Sequence, residues 1–131
     1  MTYMLDTNTC IFIMKKMLTV VAKFKKVQSS GVAISAITLA ELEFGVSKSQ
    51  AYERNRNTLL AFSTLVNILP FDVVASGEYG NIRATLEKKG MPIGILDTLI
   101  AAHAKSRNLI LVTNNTREFQ RVEGLLIEDW S

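Results

Sequence analysis

Short unbroken apolar runs alternate along this chain with longer stretches in which apolar residues return every three or four positions. Residues 2–5, "VAIS" (32–35), "NILPF" (67–71), "LILVT" (109–113) and "LLIEDW" (125–130) have the length and side-chain character of strands. Pro70 stops the third of these. Between them, "TNTCIFIMKK" reads as a helix with Asp6 or Thr7 as its N-cap. Further helices are expected over 19–27, 36–49 (despite Gly45), 51–66, 73–90 and 95–108, with a helical turn in "TREFQRV". Gly31 breaks the second helix, and Gly90 ends the one that starts at 73. Strands that are continuously apolar and alternate with helices predict a parallel sheet covered on both faces. The expected fold is therefore α/β: one domain over residues 1–131, with a central sheet of about five strands.

Ligands of such sheets bind beyond the carboxyl ends of the strands. Asp6 stands there after the first strand, and Asn114 and Asn115 stand there after "LILVT". Asp97 lies in the first turn of its helix, where the helix dipole favours a carboxylate. It also shares a stripe with Ala101 and Ala104, among Ile95, Leu96, Leu99 and Ile100. Small residues allow a close neighbour, and a carboxylate on such a stripe is costly unless paired or metal-bound. Glu41 and Glu43 sit in the otherwise apolar "TLAELEFG", and a helical wheel does not choose between them.

Composition narrows the chemistry. Hydrophobic residues make up 48% of the chain, enough for a full core. No apolar run approaches the ~18 residues of a membrane span, and the N-terminus reads as a strand rather than a signal peptide. Cys10 is the only cysteine, which excludes an internal disulfide and fits a reducing cytoplasm. One histidine and one cysteine leave zinc without its usual donors. Several acids suit Mg²⁺ or Mn²⁺ bound through oxygen, and such a site suits phosphodiester hydrolysis. No Walker A motif is present, so nucleoside triphosphate chemistry has no support. The net charge of +3 permits a polyanionic partner.

"MLDTN", "ITLAELEFG", "PIGILDTLIAAHA" and "LVTNNTREF" occur in this order over nearly the whole chain. Together they resemble the PIN-domain ribonucleases, and most of all the VapC toxins of bacterial toxin–antitoxin pairs. The resemblance implies a Mg²⁺- or Mn²⁺-dependent endoribonuclease. It implies Asp6, Glu41 and Asp97 as the catalytic, metal-binding acids, and it leaves Glu43 outside them. A fourth aspartate is common in the family after the last core strand. Here Asn115 occupies that position and supplies a neutral oxygen to orient water or an ion. Thr7, Asn8 and Thr113 match polar positions that support the acids. The resemblance also implies transfer RNA as substrate, a VapB-like antitoxin as partner, and a homodimer.

Other residues carry plainer expectations. His103, with Leu96, Leu99 and Ile100, reads as a core histidine whose hydrogen bonds are met. Cys10 reads as core filler, and Trp130 as a cap on the sheet. Arg83, Arg117 and Arg121 are candidates for RNA contact; salt bridging along its helix is the plainer reading of Arg83. Lys15, Lys16, Lys23, Lys25 and Lys26 either line an RNA channel or form a solvated face. Two other functions compete: a metal-dependent phosphatase with Asp6 as nucleophile, and a non-catalytic PIN scaffold that binds RNA or protein. The phosphatase usually needs an acid two residues on, where this chain has Asn8. Retention of the three acids argues against the scaffold.

Overall fold

The computed structural model describes all 131 residues. Five strands form one sheet: β1 (Tyr3–Leu5), β2 (Val32–Ser35), β3 (Asn67–Leu69), β4 (Ile110–Val112) and β5 (Ile127–Glu128). Their order across the sheet is β3-β2-β1-β4-β5, and every neighbouring pair is parallel. The helices are α1 (Thr7–Met14), α2 (Leu18–Val27), α3 (Ala36–Ser47), α4 (Tyr52–Ser63), α5 (Val73–Lys88), α6 (Ile95–Ser106) and α7 (Thr116–Phe119). A 3-10 turn, Gln28–Ser30, leads to Gly31, whose φ of +86° is open to glycine at little cost. A Cβ on Gly31 would also meet the Met1 side chain at 2.9 Å.

Side-chain alternation sorts the strands between two cores. Leu5, Val32, Ile34 and Val112 face α1 to α4, packing with Cys10, Val20, Phe24, Leu42, Leu59 and Phe62. Met4, Ala33 and Leu111 face the other way, onto α5, α6 and Phe119 of α7. Ala101, Ala102 and Ala104 are fully buried, so α6 approaches the sheet closely. Cys10 is core filler as expected, and Trp130 packs edge-on against Tyr3 with ring centroids 5.2 Å apart.

The chain builds outward from β1 through β2 to β3, then returns to the other side of β1 as β4. The crevice beyond the carboxyl ends of β1 and β4 is therefore the topological switch point, where open α/β sheets bind their ligands.

Candidate active site

Asp6 follows β1 directly and is pinned in that crevice. Its amide donates to the Val112 carbonyl at 3.0 Å. As N-cap of α1, its Oδ1 accepts from the Thr9 amide at 2.9 Å. The side chain is nearly buried, at 5% exposure. Burial raises its pKa above the ordinary carboxylate value, and hydrogen bonds from Thr113 and Thr9 pull against that rise.

Glu41 reaches the same region from α3. Thr7 Oγ1 donates to its Oε1 at 2.7 Å, which ties the glutamate to the residue next to Asp6. Glu43 goes elsewhere, to an ion pair with Arg56 of α4. That contact separates two glutamates that a helical wheel leaves equivalent.

Asp97 sits in the first turn of α6, which begins after Gly94. Its pKa is raised to about 6, by burial first and then by repulsion from Glu118, Asp6 and Glu41. Three other carboxylates thus stand near enough to Asp97 to repel it. Glu118, on α7, is the member that sequence reasoning missed. The only signal for it was its spacing: three residues after Asn115 in a helical turn puts both on one face.

Asn115 follows β4 and caps α7. Its side-chain nitrogen donates to Glu118 Oε2 at 3.4 Å, and its amide donates to Thr113 Oγ1 at 2.9 Å. The side-chain nitrogen is used on the neighbouring acid, and the side-chain oxygen makes no hydrogen bond within the chain. Of the supporting residues, Thr7 and Thr113 bond to acids, whereas Asn8 is exposed. Thr9 fills the part expected of Asn8. It is buried, its amide bonds to Asp6, and its Oγ1 donates to the Val112 carbonyl at 3.0 Å.

None of the four acids has a basic partner. The ion pairs of the molecule are Lys23–Glu128, Arg56–Glu43, Arg83–Glu87 and Lys105–Glu78. No three acidic, histidine or cysteine side chains converge tightly enough to cage a metal ion by themselves. An open mouth of oxygen donors with uncompensated charge fits a hard cation that keeps several waters and takes one or two carboxylates, as Mg²⁺ does. It does not fit zinc.

Arg83 bonds within its own helix, to Tyr79 Oη at 2.9 Å and Glu87 at 3.3 Å. Arg121 donates to the Pro92 carbonyl at 3.2 Å and so braces the connection that precedes α6. Arg117 is exposed and bonds to nothing, while Phe119 between them is fully buried. His103 is buried too, with Nδ1 2.7 Å from Ser35 Oγ. Ser35 Oγ also accepts from the Ile37 amide as N-cap of α3. Nε2 has no polar partner; the Phe71 ring meets the imidazole edge-on at 5.4 Å between centroids. The expectation of a fully satisfied histidine is corrected to one bond of two. Leu96, at 46% exposure, also lies off the buried face.

A groove of about 440 Å³ lies among α1, α3 and α4. Ile11, Met14, Leu42, Val46 and Leu59 contribute its apolar surface, and Lys15, Glu41 and Arg54 contribute charge.

Comparison with known proteins sets this geometry in context. Residues 3–125 match the PIN domain family. The tRNA(fMet)-specific endonuclease VapC of Shigella flexneri is 46% identical over 129 residues, covering 98% of each chain. Ribonuclease VapC2 of Rickettsia felis is 42% identical, covering 99% of this chain and 98% of its own. Among solved structures, VapBC2 from Rickettsia felis bound to a promoter DNA fragment superposes with a TM-score of 0.95 at 40% identity, over 100% of both chains. DNA-bound VapBC from Salmonella typhimurium gives a TM-score of 0.95 at 45% identity, over 100% of this chain and 99% of the other.

Proposed function

This chain belongs to the PIN domain family, among its VapC ribonucleases, and from that premise we propose that it is the toxin of a VapBC-type pair, cutting transfer RNA with Mg²⁺ or Mn²⁺. The observation that carries the reading is the group of four carboxylates, Asp97 and the three that repel it, none with a basic partner, at the β1/β4 switch point. Nucleases of this family depend on a divalent metal; Mg²⁺ and Mn²⁺ are the ions that oxygen donors and an open mouth suit best.

Asp6, Glu41 and Asp97 are the acids that would hold the ion, one or two of them directly and the rest through its waters. Bound there, a divalent cation supplies a nucleophilic water at neutral pH and offsets charge on the phosphoryl oxygens. Thr7 fixes the direction of the Glu41 carboxylate, and Thr113 and Thr9 fix that of Asp6. Asn115 bonds Glu118 beside Asp97, and Glu118 would serve there as a proton acceptor for water. Arg117, exposed on the same short helix, would meet a phosphate.

The partner is a VapB-like antitoxin. In support, the related structures are VapBC complexes, and the groove beside Glu41 offers apolar surface to a docked segment. An arginine or lysine of that segment would meet the acids in a charge-assisted contact that competes with the metal. A homodimer accords with the resemblance; Met91, Ile95 and Leu96 are exposed apolar surface beside the site that it would cover. No helix is long and apolar enough to cross a membrane, and one buried free thiol suits the cytoplasm, where transfer RNA is found.

The test uses the purified chain, free of antitoxin, with transfer RNA and either cation. Cleavage should require the metal and stop on chelation. Undiminished cutting in excess EDTA would overturn the metal mechanism, and an intact RNA under every condition would overturn the ribonuclease.

A further inference from the structure

Positive charge is concentrated in one part of this chain. From Thr7 to Ala40 there is no aspartate or glutamate, but there are five lysines: Lys15, Lys16, Lys23, Lys25 and Lys26. That stretch carries +5 of a net +3, so the rest of the molecule is −2. All five lysines are exposed, on the end of α1 and along α2. Only Lys23 has an acidic neighbour, Glu128 at 4.0 Å, and both of those side chains are open to water.

Two of these lysines, Lys15 and Lys23, lead to the acid crevice. The Glu128 carbonyl accepts from the Thr113 amide at 2.9 Å, and the Thr113 hydroxyl bonds to Asp6. Lys23 is thus linked to the first acid through Glu128 and Thr113. On the other side, Lys15 lines the same groove as Glu41. Four carboxylates alone would repel a phosphate backbone, so a nuclease built around them needs cations close by to hold its substrate. Lysines meet that need, because as mobile point charges they contact phosphates without reading sequence.

We infer that the α1–α2 hairpin is the surface on which the RNA backbone docks, with phosphates flanking the scissile bond lying along Lys15, Lys23, Lys25 and Lys26. The inference rests on the ribonuclease reading above. It assigns the hairpin to backbone positioning and leaves the choice of cut site to other surfaces.

The experiment measures binding of a labelled transfer RNA to the intact, antitoxin-free chain in EDTA, across a range of salt. Cleavage with Mg²⁺ is followed in parallel. The variant is Lys23→Gln/Lys25→Gln/Lys26→Gln; the control is Lys88→Gln/Lys89→Gln, which removes surface charge at the end of α5. The hairpin variant should bind on the order of tenfold more weakly at low salt. Its plot of log affinity against log salt should be shallower by about 2, from ~0.7 counterion per phosphate contact. KM should rise while kcat holds, and the control should match wild type. Equal salt slopes in wild type and hairpin variant, or an equal loss in the control, would overturn the inference. RNA bound through the hairpin yet never cut would sustain it and sink the ribonuclease reading. Efficient cutting with the hairpin lysines removed would do the reverse. Retained RNA binding with lost binding of a polyglutamate probe would overturn the inference in favour of an acidic protein segment.

Discussion

Asp6→Asn exchanges one oxygen for nitrogen at the N-cap of α1, where asparagine caps about as well as aspartate. The substituted protein should therefore melt at or above the wild-type temperature without metal, because repulsion on Asp97 is relieved. Its cleavage should fall by several orders of magnitude. Retained cleavage would reduce Asp6 to a cap. Glu118→Gln keeps the shape of α7 and removes a candidate proton acceptor. It should lower kcat by about 10²–10⁴ and lower the Asp97 pKa, which carboxyl-selective NMR titration would follow. An unchanged kcat would exclude Glu118 from the reaction. These residues were unequally legible. Asp6 and Asp97 stood out because a charge interrupts an apolar context. Glu41 could be told from Glu43 only by resemblance, since the distinguishing partners, Thr7 and Arg56, are remote in sequence. Glu118 looked like one more polar residue on a surface turn, and only the fold carries it to Asp97.

At the scale of elements, the central strands were readable because they are buried on both faces and so unbroken in hydrophobicity. The edge strands shrank: β3 has Asn67 and Ile68 exposed, and β5 keeps two residues of the apolar run that predicted it. An edge has one partner strand, so pairing ends where the neighbour does. The link between α3 and α6 was not legible, because Ser35 and His103 are far apart in the chain. That bond joins the cap of the helix carrying Glu41 to the helix carrying Asp97. Ser35→Ala should cost about 1 kcal/mol for the lost cap and roughly 1–3 kcal/mol more for an imidazole left without any partner. Chemical denaturation would measure it; a loss below the cap value would mean the histidine bond adds nothing.

For the whole molecule, pH and metal should act in opposition. Asp97 titrates at about 6 in the folded chain, against ~3.9 for a free aspartate. The folded state therefore holds this proton more tightly. Its stabilising effect is full below the unfolded value and is lost as pH rises through about 6. Asp6, raised in the same direction, adds to that slope. Metal-free protein should thus melt lower at pH 7.5 than at pH 5 as far as these groups decide it, and Asp97→Asn should flatten the slope. Saturating Mg²⁺ should recover stability at pH 7.5, by ~2.7 kcal/mol at a hundred times its Kd. A flat profile in the wild type would contradict the crowding of the acids. The strand order has its own consequence in time. Tyr3 pairs with Ile110, and Thr113 and Glu118 follow β4, so the crevice needs both ends of the chain. A ribosome adds ~5–20 residues per second from the N-terminus, and β1 to β3 emerge long before their last partners. A half-made copy has Asp6 and Glu41 but no opposite wall. Cleavage should therefore begin only when synthesis is almost finished.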